Sequence, residues 1–191
     1  MTLITRVKNI VLRPDSEWPD IATERGGAAS LMRYVATLAL IPTICRFAGD
    51  SIIGVSVSVG TFRVPLLTGL IGMAIGYIFE FVAVYAVALI INALAPSFRS
   101  QHNFRNALKL SVYSFTPAWL AGIFFLIPGL HFLAILGLYG FYLLWTGMTP
   151  LMGTPRDRTL LYAFTALIAA IAITIILSIV QGAISAIPRP Y

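Results

Sequence analysis

The sequence predicts an all-α integral membrane protein: five transmembrane helices preceded by one or two short amphipathic interfacial helices. Three observations predict it. The composition is 59% apolar and 10% charged, with a mean hydropathy of +0.90, whereas soluble domains carry about a quarter charged residues. Water is therefore not the solvent for most of this surface. Five apolar runs are long enough for a helix to cross a bilayer, where a membrane barrel would give short alternating segments. Lys and Arg gather at the ends of those runs, as membrane topology requires, so the formal charge of +6 does not describe a nucleic-acid surface.

At the start, Leu3, Ile4, Val7, Ile10 and Val11 fall at helical spacing, with Arg6, Lys8 and Arg13 elsewhere on the wheel. This predicts an in-plane helix held by apolar burial and by attraction to anionic lipid. The early basic residues argue against a cleaved leader. Asp15 or Ser16 can cap a second short helix carrying Trp18 and Ile21, with Trp18 at the level of the lipid head groups. Gly26 and Gly27 then let the chain turn into the bilayer. Residues 1–27 are read as cytoplasmic interfacial helices and residues 28–191 as the five-span domain.

The first span, residues 28–48, has Arg33 and Arg46 near its ends. Only residues 34–45 lie strictly between them, roughly 18 Å of helix, so the arginines snorkel or the bilayer is thin. Pro42 kinks this span. Residues 49–65 are too polar and Gly-rich to cross, and residues 54–60 alternate with period two, which predicts a surface strand or hairpin arm. The second span, residues 66–92, sets Gly72, Gly76 and Glu80 on one face, a groove for a neighbouring helix with the acid turned into the interface. The third span, residues 107–127, carries Pro117 near its middle. Pro128 and Gly129 then turn tightly, so the fourth span, residues 131–148, is an antiparallel neighbour. It brings Gly137, Gly140 and Gly147 near one face. The fifth span, residues 160–187, is a tilted packing element rich in Ile and Ala.

With the N-terminus inside, the inner side holds Arg6, Lys8, Arg13, Arg25, Arg33, Arg99, Arg105, Lys109, Arg156 and Arg158. The outer side holds Arg46, Arg63 and Arg189, so the excess is ten to three. That excess predicts a cytoplasmic N-terminus and a C-terminus on the far side.

Glu80 lies nearest the centre of any span, where a charge costs on the order of 2.5–3.5 kcal/mol on insertion scales. Three compensations are open to it: a proton, a pairing with Arg33 or Arg46, or hydrogen bonds to Tyr113, Ser114 or Thr116 of the third span. One reading makes it a proton, cation or ligand site and the other a clasp between helices. Pro117 cannot donate to the carbonyl of Tyr113, so Glu80, Tyr113, Ser114, Thr116 and Pro117 form the candidate intramembrane polar site. A broken helix of this kind binds ligands in transporters and elsewhere only packs. Gly72, Gly76, Gly137 and Gly140 are the candidate helix-packing positions. Cys45, the single cysteine, allows neither an internal disulfide nor a thiolate cluster. His102 and His131 fall at opposite membrane faces. With no nucleophile motif, phosphate loop or paired intramembrane acids, the sequence predicts no catalysis, no metal and no cofactor.

Asn103-Phe104, Ala107-Leu108-Lys109 and above all Tyr113-Ser114-Phe115-Thr116-Pro117-Ala118-Trp119-Leu120 resemble the bacterial branch of the Yip (Ypt-interacting protein) family. Pro14 with Glu17 and Trp18, residues 135–139, and Met152-Gly153-Thr154-Pro155 support the match. The resemblance implies a five-span domain in a bacterial inner membrane, with the N-terminus cytoplasmic and the C-terminus periplasmic. In eukaryotes such proteins bind prenylated small GTPases and one another, and act in vesicle transport and Golgi organisation. Here it implies a non-enzymatic protein that organises lipid or partner proteins. Membrane lipids and a homo-oligomer or other membrane proteins are the expected partners, and nucleic acid is not. The alternative is a small transporter or channel whose path is lined by Glu80 and the Pro117 helix break.

Overall fold

The computed structural model describes residues 2–24, 26–57 and 60–185. Arg25, part of the expected strand at Ser58 and Val59, the last two residues of the expected fifth span, and Arg189 lie outside the described residues.

The chain begins with α1 (Leu3–Leu12), whose first turn is capped by the Thr2 hydroxyl accepting from the Thr5 amide at 3.3 Å. A second helix, α2 (Pro14–Thr23), follows with proline in its first turn and Asp15 and Glu17 beside its positive end. The two are tied by Arg6, which donates to Glu17 at 2.5 Å and also to Glu24, while Asn9 donates to Glu17 at 3.0 Å. They do not merely rest on the surface. Ile10, Trp18 and Ile21 are fully buried in the core shared with the spans, and the Trp18 indole donates to Thr146 at 3.1 Å. Trp18 is thus a core residue and not a head-group anchor, because Thr146 supplies inside the bundle the acceptor that its N–H needs.

The first span is broken into α3 (Ala28–Leu38) and α4 (Leu40–Phe47), then a π-helical turn over Ala48–Ile53. The interruption falls at Ala39 because Pro42 has no N–H to offer one turn back. Gly54, at φ 83°, turns the chain into a hairpin of β1 (Val55–Val57) and β2 (Gly60–Phe62), paired antiparallel with Ser56 opposite Thr61. That hairpin is where the period-two pattern put it.

The second span is α5 (Leu66–Leu94), prolonged by a 3₁₀ turn over Ala95–Phe98. The third is α6 (Phe104–Ser114), capped by the Asn103 side chain on the Asn106 amide at 3.2 Å, then α7 (Thr116–Ala121) and a 3₁₀ turn over Gly122–Leu126. Phe115 separates α6 from α7 just ahead of Pro117. The fourth span differs from the expected α-helix. Pro128–Leu138 winds as 3₁₀ and only α8 (Tyr139–Met152) is α-helical. Gly137, at the end of the 3₁₀ segment, sits tight against the Ala118 backbone, and Gly140, in the first turn of α8, sits against the Ser114 carbonyl, where a Cβ would overlap its neighbour. Gly153, at φ 62°, ends α8, and the fifth span is α9 (Arg156–Ser185).

Five helical segments are long and apolar enough to cross a membrane: Ala28–Ile53, Leu66–Phe98, Phe104–Leu126, Gly129–Met152 and Arg156–Ile184. The third is the most buried and the fifth the most exposed. Accordingly α6 is flanked by α5 and α8, and α9 closes one side against α5 and α8. One end of the bundle carries α2 packed on α8, with α1 against α2 and α7; the other carries the hairpin.

Candidate functional site

Two kinds of packing meet near the break between α6 and α7. Toward the α1–α2 end the core is closed. Tyr34 and Thr116 share a buried hydrogen bond at 2.9 Å, and the Ser111 hydroxyl donates to the Val84 carbonyl at 2.8 Å. The Tyr113 ring stands edge-on to Tyr34 and Trp18, with centroids 5.0 and 6.3 Å apart. Toward the hairpin end the helices part. Between α4 with its π-helical turn, α5, α7 and α9 lies a cavity of about 500 Å³, running from Asp50 and Val64 inward to Glu80 and Ala83.

Glu80 marks its inner end, about 21 Å along α5 from Leu66 at 1.5 Å per residue. Its Oε2 accepts from the indole N–H of Trp119 at 2.9 Å, and Trp119 is 1% exposed. Arg46, Asp50, Ser51 and Gln181 also line the space. The Arg46 guanidinium lies over the Phe125 ring at 4.5 Å. The Ser51 side chain is buried in the π-helical turn without a hydrogen-bond partner. Gln181, the one amide side chain in α9, donates to the Gly72 carbonyl at 2.8 Å. The rest of the wall is mainly apolar. A second, open groove of about 460 Å³, apolar but for Thr174, shares Phe115, Ala118, Ala134 and Thr174 with the cavity and continues it between α9 and the 3₁₀ segment of the fourth span.

The structure sorts the expected site residues. Glu80 is clasped to the third span by Trp119, one turn beyond the anticipated partners, and not by Tyr113, Ser114 or Thr116. Among the described residues it has no ion pair with Arg33 or Arg46. Thr116 serves Tyr34, Tyr113 packs by its ring, and Ser114 Oγ is buried without a partner. Pro117 is buried at the start of α7, and its break sets Trp119 toward α5. Gly72 and Gly76 meet Gln181 of the fifth span and not the third, while Gly137 and Gly140 abut the third. Trp119, Arg46, Asp50, Ser51 and Gln181 were not singled out from sequence as site residues. Gln181 had a signal, being the one amide in a long apolar run; the others depend on how helices lean.

Sequence and helix lengths together define an all-α membrane protein, with five helical segments long and apolar enough to cross a membrane and a partly polar chamber between them. The model of the Yip1 domain matches residues 8–178. The chain belongs to that family. Comparisons with curated proteins and with solved structures give no match.

Proposed function

We propose that this Yip1-family protein is non-enzymatic and organises membrane lipid, receiving one amphiphile in the cavity and its side groove. The observation that carries this reading is the junction at Phe115, Ala118, Ala134 and Thr174, where a chamber with charged and polar lining continues into an apolar groove facing the bilayer region. A polar head with an apolar tail matches both spaces, since small-molecule sites are largely apolar with a few placed polar groups. The excess of Lys and Arg at the α1–α2 end supports a cytoplasmic location for that end in a bacterial inner membrane. Self-association or other membrane proteins would extend the organising role.

The test is native mass spectrometry of the full chain released from maltoside micelles. Wild type is expected to retain a diacyl lipid, and Thr174→Trp, which fills the junction from an exposed position, to lose it. A wild type that retains none would remove the reading.

The cavity reaching Glu80 also favours transport as a second reading. The path ends there, at Glu80, Ala83 and Trp119, so transport needs the packed helices beyond them to move apart. Flux in proteoliposomes that is indifferent to Glu80→Gln would count against it.

A further inference from the structure

We infer that the head group seated in this cavity carries an ammonium, held at the Glu80 carboxylate; this rests on the amphiphile reading above and narrows it. Four observations converge. Trp119 occupies Oε2 of Glu80, and no described hydrogen bond or ion pair uses Oε1. An acid at membrane depth calls for a counter-charge, and the described side chains give it no ion pair, Arg46 acting on it only through space. Second, Phe47, Phe79, Phe115, Trp119 and Phe125 line the same space. Aromatic walls attract ammonium groups through their negative faces, most strongly where water is excluded. Third, the lining includes two acids, Asp50 and Glu80, beside one base, Arg46, a set suited to a head that carries both signs of charge better than to a purely anionic one. Fourth, Arg46 in the same lining supplies a cation for a phosphate. A zwitterionic head presents both charges, with its tails in the adjoining apolar groove.

The ammonium has two sources, a lipid head group or a free organic cation, and the experiment separates them. The full chain in maltoside micelles, which carry no ammonium, is offered equimolar phosphatidylethanolamine, phosphatidylglycerol and diacylglycerol, and retention is read by native mass spectrometry. A parallel arm titrates tetrapropylammonium without lipid. Wild type is expected to prefer phosphatidylethanolamine over phosphatidylglycerol by about tenfold, and Glu80→Gln to abolish that preference while still retaining diacylglycerol. Tetrapropylammonium bound alone assigns the site to a free cation, and phosphatidylethanolamine bound alone assigns it to a lipid head; either outcome keeps the ammonium. Equal retention of the two phospholipids by wild type overturns the ammonium and leaves the amphiphile reading standing. A preference lost in Asp50→Asn but kept in Glu80→Gln overturns the placement at Glu80. No lipid and no cation retained by wild type overturns both readings. The wild-type arms need no variant, so a misfolded Glu80→Gln does not rescue the inference.

Discussion

The indole N–H of Trp119 reaches the Glu80 carboxylate across 2.9 Å, joining the third span to the second at the inner end of the cavity. The bond is charge-assisted when the acid is ionised and lies in a region with little water to replace it. Trp119→Phe keeps the ring and removes the donor. It is expected to destabilise the protein by about 1.5–3 kcal/mol, read as a fall in the unfolding midpoint in micelles. Trp145→Phe, at an exposed ring, is expected to change the midpoint little.

Arg6 and Glu17 form a buried pair, 6% and 3% exposed. Arg6→Met leaves Glu17 buried without its counter-charge and is expected to cost about 3–5 kcal/mol. The double variant Arg6→Met, Glu17→Met removes both charges and is expected to recover most of that loss. Midpoints of the single and double variants check the sign of the coupling.

Lys109 donates to the carbonyls of Ile21, Ala22 and Glu24 at 2.6, 3.3 and 2.8 Å, closing the C-terminal end of α2 from the third span. Lys109→Met orphans three carbonyls at once. Hydrogen exchange of the α2 amides is expected to quicken at least tenfold, while exchange in α5 stays as it was. Lys109→Arg is expected to restore little, since a planar fork does not replace a compact ammonium among three converging acceptors.

Gly140 abuts the Ser114 carbonyl and Gly182 has open space around it. Gly140→Ala is expected to destabilise by about 1–3 kcal/mol through overpacking. Gly182→Ala, in the interior of α9, is expected to be neutral or to stabilise by up to about 1 kcal/mol through helix propensity.

Orientation is open to labelling. In a background where Cys45 is replaced by Ala, Phe62→Cys on the hairpin is expected to react in intact cells with a membrane-impermeant thiol reagent. Arg156→Cys, at the opposite end, is expected to react only after lysis. The reverse pattern would turn the protein over in the membrane.

The spans were legible because each apolar run is longer than a buried strand and is bounded by Gly, Pro or charge, and the hairpin because Val and Ser alternate between two glycines. The clasp was half legible. Glu80 stood out by type and depth, and Trp119 sat inside the segment already marked by Pro117, but the turn by which it exceeds Thr116 is set by the break at Phe115. The depth of α1 and α2 was hidden for a related reason. Their amphipathic pattern suits a lipid surface as well as a protein one, and only Thr146 and Lys109, far along the chain, decide between them. The cavity arises from the separation of α4, α5, α7 and α9, which no single stretch encodes.

The long sequence separation of the Lys109 contact bears on how the protein is made. Ile21 leaves the ribosome 88 residues before the lysine that closes its helix. At synthesis rates of 5–20 residues per second that gap is about 4–18 s. Through that interval α2 is without the Lys109 contact, so the closing of its C-terminal end follows synthesis of the first turns of the third span.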